Sequence, residues 1–160
     1  MRLYLLRHAV AASRGTGNDA DRPLTSAGSR RMLLAARGIR RLGLKPSRIL
    51  SSPLVRARQT AGLTVKALGT GMRVELSDFL RPGVPPKRVL VAVRARRLKS
   101  VLLVGHEPDL GELAAFLLGS HPGFLHFRKG GLCCIALGPP PRLEWHLTPG
   151  QLRKLGRRKG

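Results

Sequence analysis

An α/β sandwich, with helices on both faces of a mostly parallel central sheet, is the fold class this sequence predicts, and three observations predict it. Short apolar runs alternate with longer amphipathic stretches along most of the chain. The strongest runs, Leu3 to Leu6 and Val101 to Val104, are nearly uninterrupted, as in strands buried on both faces. Both end abruptly in polar, reactive residues.

The elements follow in order. Leu3 to Leu6 form a first strand that delivers Arg7 and His8 to its carboxyl end. Residues 11–24, rich in Ser, Gly, Asn and Asp, form a loop closed by Pro23 and Leu24. Thr25 caps a helix whose apolar stripe runs through Met32, Leu33, Ala35, Ala36, Ile39 and Leu42 before Gly43 ends it. Arg48 to Ser51 make a second strand. Ser52 as cap and Pro53 as first helical residue then open a helix to about Leu68, with Arg56 in its first turn. Met72 to Leu76 read as a third strand, followed by the loop Arg81-Pro82-Gly83 and a basic helix from near Pro86. Ser100 to Val104 is the clearest strand; Gly105 and His106 end it, and Pro108 starts a helix to Leu118. Gly131 to Leu137 and Leu143 to Leu147 read as a closing pair joined across Gly138 and three prolines. Arg153, Lys154, Arg157, Arg158 and Lys159 read as a frayed, solvated tail.

At 160 residues the chain suits one domain with one substantial core. Residues 1–150 are assigned to it, leaving 151–160 as a basic tail. The charge is lopsided: 30 basic residues against 8 acidic ones give a formal net charge of +22. Such a field implies an anionic partner, whether nucleic acid, polyphosphate, an acidic membrane surface or a phosphorylated acidic protein. Arg30, Arg31, Arg37, Arg40 and Arg41 fit a solvated helix face equally well. Aromatic residues are only 4%, which leaves few stacking platforms for single-stranded nucleic acid. Cys133 and Cys134 are adjacent in an apolar run, a poor arrangement for a disulfide or a metal site, and fit a reducing compartment. The segment after Met1 lacks the regions of a signal peptide, and no apolar run approaches the ~20 residues of a membrane span. A cytoplasmic protein without a membrane partner is the expectation.

In open α/β sheets, sites form beyond the carboxyl ends of the strands. Three segments bring reactive side chains there: Arg7 with His8, Arg56, and His106. A neutral imidazole, with an ordinary pKa of about 6.5, serves as a nucleophile at cellular pH and forms a labile P–N bond. Guanidinium groups bind the non-bridging oxygens of a transferring phosphoryl group. If protonated, His106 donates hydrogen bonds to the same oxygens, and the amino end of the helix after Pro53 adds partial positive charge. The expected pocket uses no metal and no other cofactor, because a hydrolytic metal centre recruits carboxylates or further histidines that are scarce here. His121, His126 and His146 are expected to be structural or exposed.

Leu6-Arg7-His8-Ala9, Ser51-Ser52-Pro53-Leu54 with Arg56-Ala57 and Gln59-Thr60-Ala61, and Val104-Gly105-His106-Glu107-Pro108 together resemble the histidine phosphatase, or phosphoglycerate mutase-like, superfamily. Chain length, Ala9 and Arg22-Pro23-Leu24-Thr25 are most similar to its small phosphohistidine phosphatases of the SixA type. The resemblance implies a three-layer α/β/α fold with residues 1–150 as the phosphatase domain. It implies His8 as the nucleophile that carries the phosphoryl group, with Arg7, Arg56 and His106 binding phosphate. It also implies an acidic proton donor, for which three positions compete. Glu107 matches the placement in the acid-phosphatase branch, Asp78 lies where the mutase branch carries its glutamate, and Asp21 is a third. Glu107 is preferred for its adjacency to the pocket. Because imidazole leaves more readily than an alkoxide, the lack of a clear acid favours a protein phosphohistidine substrate, such as an acidic phosphotransfer domain in signal transduction. Hydrolysis of small phosphomonoesters, or polyanion binding with a vestigial pocket, are the alternatives.

Overall fold

The computed structural model describes residues 1–157 and contains the predicted sandwich. In chain order it runs β1 (Arg2–Arg7), α1 (Ser26–Arg41), β2 (Arg48–Ser51), α2 (Val55–Leu68), β3 (Val74–Leu76), α3 (Pro86–Arg94), β4 (Ser100–Gly105), α4 (Asp109–Leu118), β5 (Leu132–Ala136), β6 (Arg142–Leu147) and α5 (Pro149–Arg157). One six-stranded sheet has the order β3-β2-β4-β1-β5-β6. The first four strands are parallel, and β5 and β6 close the sheet antiparallel to their neighbours.

Successive strand residues point to opposite faces, and this sorts the core into two halves. Tyr4, Leu6, Ile49, Leu102, Val104 and Cys134 meet α1, α2 and α5 on one face. Leu3, Leu5, Leu50, Val101, Leu103 and Cys133 meet α3 and α4 on the other. The adjacent cysteines are therefore both buried, both unpaired, and on opposite sides of the sheet.

Two expectations are corrected. The second helix begins at Val55 with Leu54 as its cap residue, two positions later than Ser52 and Pro53 predict. The Ser52 hydroxyl is taken by the His106 ring at 2.7 Å and accepts only a long 3.4 Å bond from the Leu54 N–H. The frayed tail is instead α5 as far as Arg157, while Arg158 and Lys159 lie outside the described residues. Its apolar anchor Leu152 is fully buried against α1, and the two helices touch backbone to backbone. A β-carbon on Gly38 would stand 2.0 Å from the Leu152 carbonyl oxygen, and one on Gly156 2.0 Å from that of Leu34. Sparse apolar residues hid α5 in the sequence, because glycine rather than a hydrophobic stripe makes the contact. No described helix is long and apolar enough to cross a membrane.

Candidate active site

The sheet order explains why distant segments meet: β4 lies between β1 and β2, so the carboxyl ends of all three are neighbours. His8 extends the β1–β4 pairing by donating its backbone N–H to Gly105 at 3.0 Å. His8 is 7% exposed, and its ring centroid lies 5.2 Å from that of His106, itself 3% exposed. Arg56, in the first turn of α2, is 5% exposed, and Arg7 is half-buried. The structure thus gathers Arg7, His8, Arg56 and His106 at one edge.

The hydrogen bonds fix their states. His8 Nδ1 lies 2.7 Å from the Ala9 carbonyl oxygen. A carbonyl only accepts, so this nitrogen carries the proton and Nε2 keeps its lone pair. Thr60 braces the arrangement: its hydroxyl accepts from the Ala9 N–H at 3.0 Å and donates to the Arg56 carbonyl at 2.7 Å. Burial, opposed by the Ala9 bond and aided by the charges of Arg56, Arg7 and Lys129, pushes the His8 pKa down to about 4. Burial, then neighbouring His8 and Arg56, pushes His106 down to about 3. Both rings are neutral near pH 7. Burial also lowers the Arg7 pKa from its ordinary value, against a raising effect of Glu107. Three buried nitrogens, Arg7 Nε, Arg56 Nε and His106 Nδ1, have no hydrogen-bond partner in the protein. Each unpaired buried donor costs about 1–3 kcal/mol, so the two arginine nitrogens, joined by His106 Nδ1 when the Ser52 hydroxyl donates to Nε2, leave this edge prepared for acceptor oxygens.

Residues 3–81 match the model of the histidine phosphatase superfamily, branch 1. An uncharacterised protein from Picosynechococcus sp. (strain ATCC 27264 / PCC 7002 / PR-6) is 39% identical, over 91% of this chain and 90% of its own. Phosphohistidine phosphatase SixA of Escherichia coli (strain K12) is 26% identical, over 96% of this chain and 97% of its own. The solved structure of the protein histidine phosphatase SixA with tungstate has a TM-score of 0.84 at 28% identity, covering 95% of this chain and 99% of that one. A candidate phosphohistidine phosphatase SixA from Agrobacterium tumefaciens has a TM-score of 0.81 at 30% identity, covering 92% and 97%. The chain belongs to the histidine phosphatase superfamily. Solved structures of a mycobacterial glucosyl-3-phosphoglycerate phosphatase and an Entamoeba histolytica phosphoserine phosphatase, at 18% and 17% identity with TM-scores of 0.71 and 0.72, share its fold.

Within this histidine phosphatase pocket, the sequence reading missed Asp19. It sits on the short 3-10 turn Asp19–Asp21, and the loop carrying it straps over α2. Arg56 donates Nη2 to Asp19 Oδ2 at 2.9 Å and Nη1 to its backbone carbonyl at 2.7 Å. Arg22 holds the other carboxylate oxygen at 2.7 Å and the Ala12 carbonyl at 2.9 Å. Desolvation, the largest single influence, raises the Asp19 pKa, but the hydrogen bonds and charges of Arg56 and Arg22 together outweigh it, leaving a carboxylate held below its ordinary range. The signal available was Asn18, whose side chain accepts from Ala20 N and starts the turn, together with Asp19 and Arg22 three residues apart.

The three proposed acids are not equivalent. Asp21 is exposed, and Asp78, with a side chain 83% exposed, pairs with Arg81 at 2.7 Å. Glu107 is adjacent to the pocket and nearly buried, but both oxygens are engaged: Oε2 accepts from Gly111 N at 2.9 Å and Oε1 from Phe127 N at 2.5 Å. The Phe127 carbonyl in turn accepts from Arg7 Nη1 at 2.5 Å, so Glu107 and Arg7 grip Phe127 through its backbone N–H and its carbonyl. His121 and His126 are exposed, and His146 packs edge-on to Phe127 at 5.2 Å. Among the described residues, no three His, Cys, Asp or Glu side chains gather as a metal site.

Proposed function

We propose that the chain is a phosphohistidine phosphatase that works through a covalent phospho-His8 intermediate without a metal. The observation that carries this is the His8 ring: its Nδ1–H is held by Ala9, which leaves a neutral Nε2 with its lone pair free at the strand edge where Arg7, Arg56 and His106 gather with unpartnered nitrogens. In the first step the Nε2 lone pair forms a bond to phosphorus while the substrate's P–N bond breaks, and the leaving imidazole keeps that electron pair and takes a proton. In the second, water attacks the phospho-His8, releasing inorganic phosphate and restoring the neutral ring. Arg7 and Arg56 would neutralise the charge on the non-bridging oxygens throughout, while neutral His106, with the Ser52 hydroxyl donating to its Nε2, would give the same oxygens a hydrogen bond from Nδ1–H.

The carboxylates support the choice of substrate. Glu107 accepts two backbone N–H groups, Asp19 is held ionised between two arginines, and Asp78 is turned to solvent. None is arranged as a general acid, which suits an imidazole leaving group better than an alkoxide. We assign Glu107 to positioning Arg7 through Phe127. A protein partner with an acidic surface, such as a phosphotransfer domain, fits the net charge of +22.

The test is to incubate the chain with a phosphohistidine-bearing donor and quench at short times. An acid-labile, alkali-stable phosphoryl group should appear on the protein and be absent from His8→Ala. Equal labelling of the variant, or no labelling of the unsubstituted chain, would remove His8 from the role.

A further inference from the structure

We propose that Arg31, Lys129 and Arg153 form a docking subsite beside the catalytic pocket that takes a carboxylate side chain of the phosphorylated protein partner. The proposal rests on the phosphohistidine reading above and adds where the partner's acidic surface engages. A cavity of about 170 Å³ is lined by these three cations together with Ala9, Val10 and Gly130. Backbone on both sides of the nucleophile builds it. Ala9 and Val10 follow His8 directly, and the Gly130 N–H is shared between the carbonyls of Arg7 and His8, at 3.1 Å from each. The amino-terminal half of α1 closes one wall, seated on the Val10 carbonyl through Gly28, where a β-carbon would come within 2.1 Å. The start of α5 closes another, with Pro149 beside Gly130. Lys129 is near enough that its charge lowers the His8 pKa.

The charge of this cavity is uncompensated. Neither α1 nor α5 contains an acidic residue. Among the described residues, ion pairs engage Glu144, Asp19, Asp78, Glu75 and Glu107, and none involves Arg31, Lys129 or Arg153. Three unpaired cations around one cleft select an anion, and the phosphoryl group already has its own donors at Arg7, Arg56 and His106. The cleft is smaller than the ~300 Å³ at which small-molecule pockets begin, so it suits one side chain of a larger partner rather than a whole metabolite. A glutamate or aspartate near the phosphohistidine meets both conditions.

Two labelled peptides test this, alike except that glutamates flanking the histidine in one are glutamines in the other. Fluorescence anisotropy should show the unphosphorylated glutamate peptide binding roughly tenfold more tightly at moderate salt. Arg31→Gln with Arg153→Gln should bring the ratio of the two affinities close to one, while Arg31→Lys with Arg153→Lys, which keeps the charges, should restore most of it. The same ratio should appear in kcat/KM when the peptides carry phosphohistidine. Equal binding of both peptides, or a preference that survives the glutamine variant, overturns the subsite. So does displacement by an RNA oligonucleotide whose affinity falls in the glutamine variant while the peptide preference does not. A carboxylate preference without phosphate release would leave the subsite standing and remove the phosphohistidine reading; release without preference would do the reverse.

Discussion

The strand edge that gathers His8 and His106 and the α1–α5 seam lie in the same chain but are built on opposite rules. At the edge, two neutral histidines and two arginines crowd together, and three of their nitrogens find no partner in the protein. At the seam, Gly38 and Gly156 let two helices touch backbone to backbone, with Leu152 sealed between the elements. The edge gives up stability to be ready for a ligand; the seam supplies stability through contact that admits no extra atom. Substitutions should therefore separate the two regions, affecting catalysis at one and folding at the other.

The largest effect on folding should come from Gly156→Val. Its β-carbon would fall 2.0 Å from the Leu34 carbonyl oxygen, a backbone atom that cannot swing aside, so the helices must part. A loss of about 3 kcal/mol is expected from overpacking of this kind. Denaturant unfolding measures it, and hydrolysis of a small phosphoester by the folded fraction should stay within a few-fold of the unsubstituted chain. A stability loss below about 1 kcal/mol would show that the seam is softer than its geometry.

Acid should act on the edge and spare the seam. His8 and His106 titrate near 6.5 when unfolded but near 4 and 3 when folded, so between those values the unfolded chain binds more protons. Their contribution is fully present above about pH 6.5 and is lost as pH falls toward those folded values. At about pH 5 each histidine should account for a loss of about 2 kcal/mol. Comparing urea midpoints at about pH 7.5 and about pH 5 checks this: His106→Asn should flatten the dependence, and an unchanged slope would contradict the burial of that ring. The seam has no histidine, so Gly156→Val should lower both midpoints together.

The same contrast decides what the sequence made legible. His8, Arg56 and His106 could be placed because each follows an apolar run or opens a helix, and strand ends in such sheets converge. Asp19 escaped notice because its role depends on where residues 11–24 fold back, a loop path that no periodicity encodes. Glu107 showed its position but not its function, since only the fold reveals that Gly111 N and Phe127 N occupy its oxygens. The α5 helix read as tail because hydrophobic patterning signals packing through side chains, whereas this packing is made by their absence at Gly38 and Gly156. Ser52 misled for the opposite reason: a good helix cap by type, it was claimed by His106.

Asp19→Asn probes the edge more gently. The amide keeps an acceptor near Arg56 but removes the charge, loosening a guanidinium whose Nη2 bond is 2.9 Å. A roughly tenfold fall in kcat/KM on a phosphohistidine peptide is expected, with little change in stability because the Asp19 side chain is 36% exposed. An unchanged kcat/KM would mean that Arg56 is held by the Asp19 backbone carbonyl alone.

The smallest effect asks whether glycine itself or close approach governs the seam. Gly62 lies in the middle of α2, exposed, and a β-carbon added there would meet nothing within 4 Å. Alanine at this position removes backbone freedom from the unfolded chain and touches no neighbour, so Gly62→Ala should stabilise the chain by about 0.5–1 kcal/mol. Gly38→Ala, at 2.0 Å from the Leu152 carbonyl oxygen, should move the unfolding midpoint in the opposite direction. Both substitutions add one methyl group to a helical glycine, so intrinsic helix preference is common to the pair. If both raised the midpoint, helix propensity would outweigh contact, and the helices at the seam would have room to separate without cost.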